Sequence, residues 1–312
     1  MPVKTNALSS FKISATGLSI NYMPEYLAQE LGYYAEEGLE VSSYVPSPWT
    51  KVLTDINSGE YQAVVGGIWC PLIYKRRVKS YFAFAKVTSR CPMSLLSREP
   101  IENFKWSDLE GRKVLTSGGN GASPGLFLAG VASEGRADVS KINFVHDFTI
   151  DMLQELFVGG FGDVIMMKSD LAAQLETQGK GHVLTDLTIS GGSVPWSVYY
   201  TTPETLARPD NICGRFTKAL QRAQTWLRSH SGSDCSDILA RNWPKVDLKK
   251  AIDIVDEYKA QGMWPETVRI QEEELSRWQK FLIAGGVIDG EIPYDEIVDS
   301  RPYEYASHQL GN

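Results

Sequence analysis

The stretch that most constrains this chain is FKISATGLSINYMPEYLAQELGYYAEEGLEV, residues 11–41. A short apolar run containing Ile13 gives way to small and polar residues: Ser14, Thr16, Gly17, Ser19 and Asn21. Tyr26, Leu27 and Leu31 then recur at helical spacing, and Gly32 closes that segment. A second strand begins near Leu39, Glu40 and Val41. Strand, loop, helix and strand make one βαβ unit, the building block of a layered α/β fold with a parallel sheet. In open parallel sheets ligands gather beyond the carboxyl ends of the strands, so the loop 16–22 is the first expected ligand wall.

Further units of the same kind follow. A Pro/Ser loop, YVPSPW at 44–49, leads into a helix that Thr50 is placed to cap and that ends near Gly59. A strand over 61–65 runs into Gly66 and Gly67, where paired glycines allow close backbone approach. A helix then ends in Lys75-Arg76-Arg77, basic residues that suit a helix C-terminus. Residues 93–96 read as a crossover into a second lobe. There a strand over 112–116 opens into SGGNGAS, a loop whose backbone N–H groups could face an anion, although no Lys-Ser/Thr follows as in a P-loop. Strands over 142–145 and 163–167 alternate with helices, and 187–200 return the chain. The C-terminal third is helical, ending at Gly285-Gly286. The expected domains are 1–93 plus 200–312 as a discontinuous first lobe and 94–199 as the second.

Composition excludes several classes. The chain has 312 residues, 43% hydrophobic and 22% charged, an ordinary globular balance long enough for two cores. Its net charge of −7, with no basic block, argues against nucleic-acid binding. No apolar run reaches 18 residues, so membrane insertion is not expected. The N-terminal stretch has no continuous apolar core of a secretory signal, so the sequence as it stands reads as cytoplasmic, or as periplasmic or extracellular if a signal has been removed. Cys70, Cys91, Cys213 and Cys235 have no CxxC spacing and read as free thiols. No metal-ligand spacing such as HExxH occurs, and neither a metal nor a cofactor is expected.

LAQELGYYAEEGLEV resembles the entry segment of the SsuA/THI5-like (NMT1) family, and the resemblance continues through SGEYQAVVGGIWCPLIYK, DLEGRKV and the tail from GMWPETVRIQ to DEIVD. It implies a two-lobed type II periplasmic-binding-protein fold with a ligand cleft between lobes. It implies either a solute-binding protein, with a small-molecule ligand and an ABC-transporter permease as partners, or a cytosolic enzyme on the same scaffold. The family's enzymes include pyrimidine synthases of thiamine biosynthesis and an aromatic desulfinase. The synthases would place a histidine near Cys70 and a Cys-rich motif near Ser193, and this chain has neither; the desulfinase cysteine would fall near Ser19.

The strand-end loops supply the candidate ligand-binding residues: Ser19, Asn21, Ser47, Trp49, Gly67, Trp69, Cys70, Gly119, Asn120, Ser123, Met167, Ser193 and Trp196. Three tryptophans among them suit a flat aromatic or heterocyclic ligand. Of cations, only Lys51 and Lys168 lie beside these loops, which argues against a strongly anionic ligand. For the enzyme reading, the candidate groups are Cys70 at a helix start, His146 beside Asp147, and Ser19. The reaction would be a lyase or hydrolase step, such as decarboxylation or C–S or C–N cleavage of a small aromatic or heterocyclic substrate. The bland readings are a buried small thiol, a surface histidine beside a capping aspartate, and tryptophans that merely pack.

Overall fold

The computed structural model describes residues 8–117 and 123–311. It separates into two compact units, 1–89 with 195–275 and 292–312, and 90–194 with 276–291. The first unit is built on a five-stranded sheet of β1 (Ser9–Ala15), β2 (Leu39–Tyr44), β3 (Ala63–Gly66), β4 (Phe82–Thr88) and β10 (Ser197–Thr201). Its order is β2-β1-β3-β10-β4. β1 pairs in parallel with β2 and β3, as the βαβ pattern requires, while the returning strand β10 pairs antiparallel with β3 and β4.

The second unit repeats the plan with β5 (Met93–Ser97), β6 (Lys113–Leu115), β7 (Asn143–Val145), β8 (Val164–Lys168) and β9 (His182–Asp186). The order is β7-β6-β8-β5-β9, with β6 parallel to β7 and β8 and β5 antiparallel to β8 and β9. Residues 93–96, read from sequence as a crossover, are therefore a fully buried strand inside the second sheet. Each sheet is mixed, because each takes one strand from a chain segment that passes between the units.

The first unit's core is aromatic. Phe216, on the helix Ile212–Ser229, stacks on Phe11 at 4.5 Å and on Tyr34 at 5.2 Å, and meets Tyr199 edge-on at 4.8 Å. Such pairs add about 0.5–1.5 kcal/mol each beyond their burial. The second unit's core gathers Leu96, Leu115, Leu153, Phe157, Ile165 and Met167.

Residues 276–291 group with the second unit rather than with the first lobe, where the sequence pattern had put them. The contacts explain it. Phe127 lies 5.5 Å from Trp278 and 6.0 Å from Phe281, and Gly130 leaves room for the Phe281 ring, which a Cβ there would meet at 2.2 Å. Arg277 pairs with Glu134 and donates to the carbonyls of Gly191 and Ser193.

Candidate ligand-binding pocket

Two strand ends of the first unit converge just past Ala15 and Gly66. The Thr16 backbone N–H and hydroxyl both donate to the Val65 carbonyl, at 3.1 and 3.2 Å. Gly66 makes this approach possible, since a Cβ there would come within 2.7 Å of the Thr16 methyl. After β3 the chain enters the short helix Trp69–Tyr74. After β2 it enters a 3-10 turn, Trp49–Lys51, that continues into the helix Val52–Ser58. That helix has no side-chain cap, so Thr50 does not serve as one, and it ends at Gly59 in the left-handed region, φ 78°.

These loops bring Trp49 and Trp69 together edge-to-face, with centroids 6.4 Å apart and planes at 80°. Between them lies a cavity of about 180 Å³ whose walls are Thr16, Leu53, Cys70 and Tyr200 besides the two tryptophans. Thr50, Val52, Gly67 and Tyr74 complete it, and the lining contains no Asp, Glu, Lys, Arg or His. A dry cavity of about 150 Å³ admits benzene, so this one has room for a single ring with a small substituent.

Cys70 is buried, and burial pushes its thiol up to about 11, with a hydrogen bond involving Tyr200 acting weakly the other way. It is a neutral wall group at physiological pH, since the thiolate is the nucleophilic form. The Tyr200 hydroxyl is pushed well above its ordinary range by the same burial. Sequence reading missed Thr50, Val52, Leu53, Tyr74 and Tyr200 as wall residues. Tyr74 ends the helix that Trp69 starts. Tyr200 arrives on the antiparallel strand β10, which no local spacing announces.

The other expected residues distribute as follows. Ser19 is half-buried at the start of the 3-10 turn Ile20–Tyr22 and forms no capping bond, and Asn21 is buried within that turn. Ser47 is exposed ahead of Trp49. Trp196 is half-buried, and its backbone N–H donates to the Thr88 carbonyl. In the second unit, Met167 is fully buried in the core and Ser193 gives its carbonyl to Arg277. Gly119 and Asn120 lie outside the described residues, and of Ser123 only the backbone, at the start of the helix Ser123–Glu134, is described.

His146 follows β7. Its Nδ1 is 2.6 Å from the Thr116 hydroxyl, its ring stacks on Phe144 at 5.5 Å, and Gly125 lies against it. This crowding desolvates the ring and lowers its pKa, while the Asp147 charge raises it. Its side chain is nonetheless exposed by area. Among the described residues no three His, Cys, Asp or Glu side chains gather as metal ligands, and no helix is long and apolar enough to cross a membrane.

A match to the NMT1/THI5-like family model spans residues 19–232. YtlA, a candidate binding protein of Bacillus subtilis strain 168, is 25% identical over 297 residues, covering 94% of this chain and 89% of that one. Solved structures share the fold. The periplasmic sulfonate-binding protein SsuA of Methylobacillus flagellatus KT superposes with TM-score 0.73 at 13% identity, over 98% of this chain and 96% of that one. The periplasmic nitrate-binding protein NrtA of Synechocystis PCC 6803 gives 0.67 at 14% identity, over 98% and 90%. The desulfurization enzyme DszB gives 0.64 at 15% identity, over 97% and 99%. The fold is the α/β architecture of periplasmic binding proteins. The chain belongs to the NMT1/THI5-like family.

Proposed function

We propose that this protein is a solute-binding protein that seats the ring of a small aromatic or heterocyclic ligand between Trp49 and Trp69 and delivers it to an ABC-type transporter. The observation that carries the reading is the pocket itself: about 180 Å³, aromatic-walled and uncharged. Pockets that recognise without reacting need apolar area and a few orienting polar groups, and this one offers the Thr16 hydroxyl at its edge. The relatives named as binding proteins for sulfonate and nitrate agree with recognition as the task, though the uncharged wall favours a ring over a strong anion. The enzyme alternative has less behind it, because the Cys70 thiol stays protonated.

Native mass spectrometry of freshly purified protein, then of protein incubated with pyrimidines, aromatic acids and sulfonates, tests this. A ligand retained and returned with unchanged mass, and lost in Trp49→Ala and Trp69→Ala, is the expected result. A ligand returned with altered mass would make the protein an enzyme.

A further inference from the structure

The second unit carries a groove that the ligand reading does not use. The helix Ile150–Val158 runs from the end of β7 toward the start of β8. Its last turn therefore lies at the amino ends of the strands, away from the side where ligands of α/β sheets collect. The chain closes that turn on itself. The Gly159 N–H donates to the Glu155 carbonyl and the Phe161 N–H to the Leu156 carbonyl, both at 2.8 Å, with Gly160 at φ 103°. Arg98 pins the far lip by donating to the carbonyls of Phe157, Phe161 and Gly162. What remains is an open groove of about 290 Å³, lined by Met152, Glu155, Leu156, Gly159 and Phe161.

The exposed face of this helix is unfavourable as it stands. Met152 and Val158 are 49% and 42% exposed, large apolar side chains beside an apolar groove. Asp151 and Glu155 are exposed one turn apart, and like charges at that spacing repel. Asp151 has a local reason, since an acid in the first turn suits the helix dipole. Glu155 stands too far along the helix to share it, and neither carboxylate pairs with a cation among the described residues. Lys113 reaches this wall, but its ammonium lies over the Phe161 ring, 4.4 Å from the centre.

We propose that this groove docks a basic amphipathic helix of a partner protein. A large apolar side chain of the partner fills the space between Leu156 and Phe161, and two cations one turn apart meet Asp151 and Glu155. The charge argues for this occupant. Carboxylates four residues apart on one helix match cations four residues apart on another. An acidic rim repels an anionic lipid surface, and the apolar area runs past the groove to Val158, farther than one small molecule covers. The proposal does not depend on the ligand pocket.

Fluorescence anisotropy of the full chain with a labelled alanine-based helix, carrying one leucine flanked by arginines a turn apart, tests it. The arginine peptide should bind about tenfold tighter than its glutamate counterpart, and Asp151→Lys with Glu155→Lys should remove that preference. Replacing the peptide's leucine by serine should weaken binding about fivefold. Without any peptide, Glu155→Gln should raise Tm by about 1 °C, because it relieves a like-charge pair. A lower Tm would make Glu155 a structural group and overturn the docking role. Equal binding of both peptides, or of neither, would overturn it as well. Dimerisation of the chain in sedimentation, lost in Met152→Asp, would give the groove to a second copy and refute the partner helix.

Discussion

Glu25 offers the sharpest test of the electrostatics in the first unit. It lies on the helix Met23–Glu30, is 4% exposed and receives a 2.6 Å hydrogen bond from the Tyr199 hydroxyl. Burial pushes its pKa from 4.5 up to about 7, with hydrogen bonds involving Tyr199 and Ser43 acting the other way. In the unfolded chain the carboxyl ionises near 4.5, so between 4.5 and 7 the folded protein holds the extra proton. Stability therefore falls as pH rises through that window and levels off above it. A shift from 4.5 to about 7, at about 1.4 kcal/mol per unit, corresponds to about 3 kcal/mol in all, most of which should appear between pH 5 and 8. Glu25→Gln keeps an acceptor for Tyr199 and removes the titration. Urea unfolding at pH 5, 6.5 and 8, followed by tryptophan fluorescence, reads mainly this unit, since only Trp106 and Trp278 lie outside it. The stability of Glu25→Gln minus that of the natural chain should grow by about 2–3 kcal/mol from pH 5 to 8. A difference independent of pH, or one that shrinks, would refute the assignment of Glu25 as a buried carboxyl that folding keeps protonated.

The remaining predictions concern single groups. Cys70 should react with iodoacetamide at pH 8 more than tenfold slower than a free thiol, because burial holds it up at about 11; rapid labelling would reopen its case as a nucleophile. Lys86 is 1% exposed and faces the Glu274 carboxylate, so Glu274→Gln should cost about 3–5 kcal/mol in unfolding, whereas Lys86→Met with Glu274→Leu should come out near neutral. An equal loss in both would argue against a buried ion pair. An NMR titration should place His146 below the ordinary histidine value of 6.5, and Asp147→Asn should lower it further, since the aspartate is the group that raises it.

The sequence by itself determined the parts whose causes are local. Tyr26, Leu27 and Leu31 at helical spacing with Gly32 behind them mark the first helix, and Gly32 takes the left-handed conformation, φ 73°, that closes it. The same spacing logic located the helix ending at Gly59, and the paired glycines after Val65 pointed to a close approach, which is Gly66 against Thr16. Trp49 and Trp69 could be named because each sits just past a parallel strand, where ligands collect.

The tertiary structure alone decided what depends on partners distant in the chain. Tyr200 reaches the pocket because β10 returns antiparallel beside β3, more than 100 residues later, a pairing with no local signature. Residues 276–291 join the second unit because Trp278 and Phe281 fit against Phe127 and Gly130. Cys70 illustrates the division most plainly. Its place at a helix start is legible in the sequence and argues for a lowered pKa. Its burial beside Tyr200 is not legible, and the cost of burying a thiolate outweighs what one short helix end supplies, so the group ends as a neutral wall.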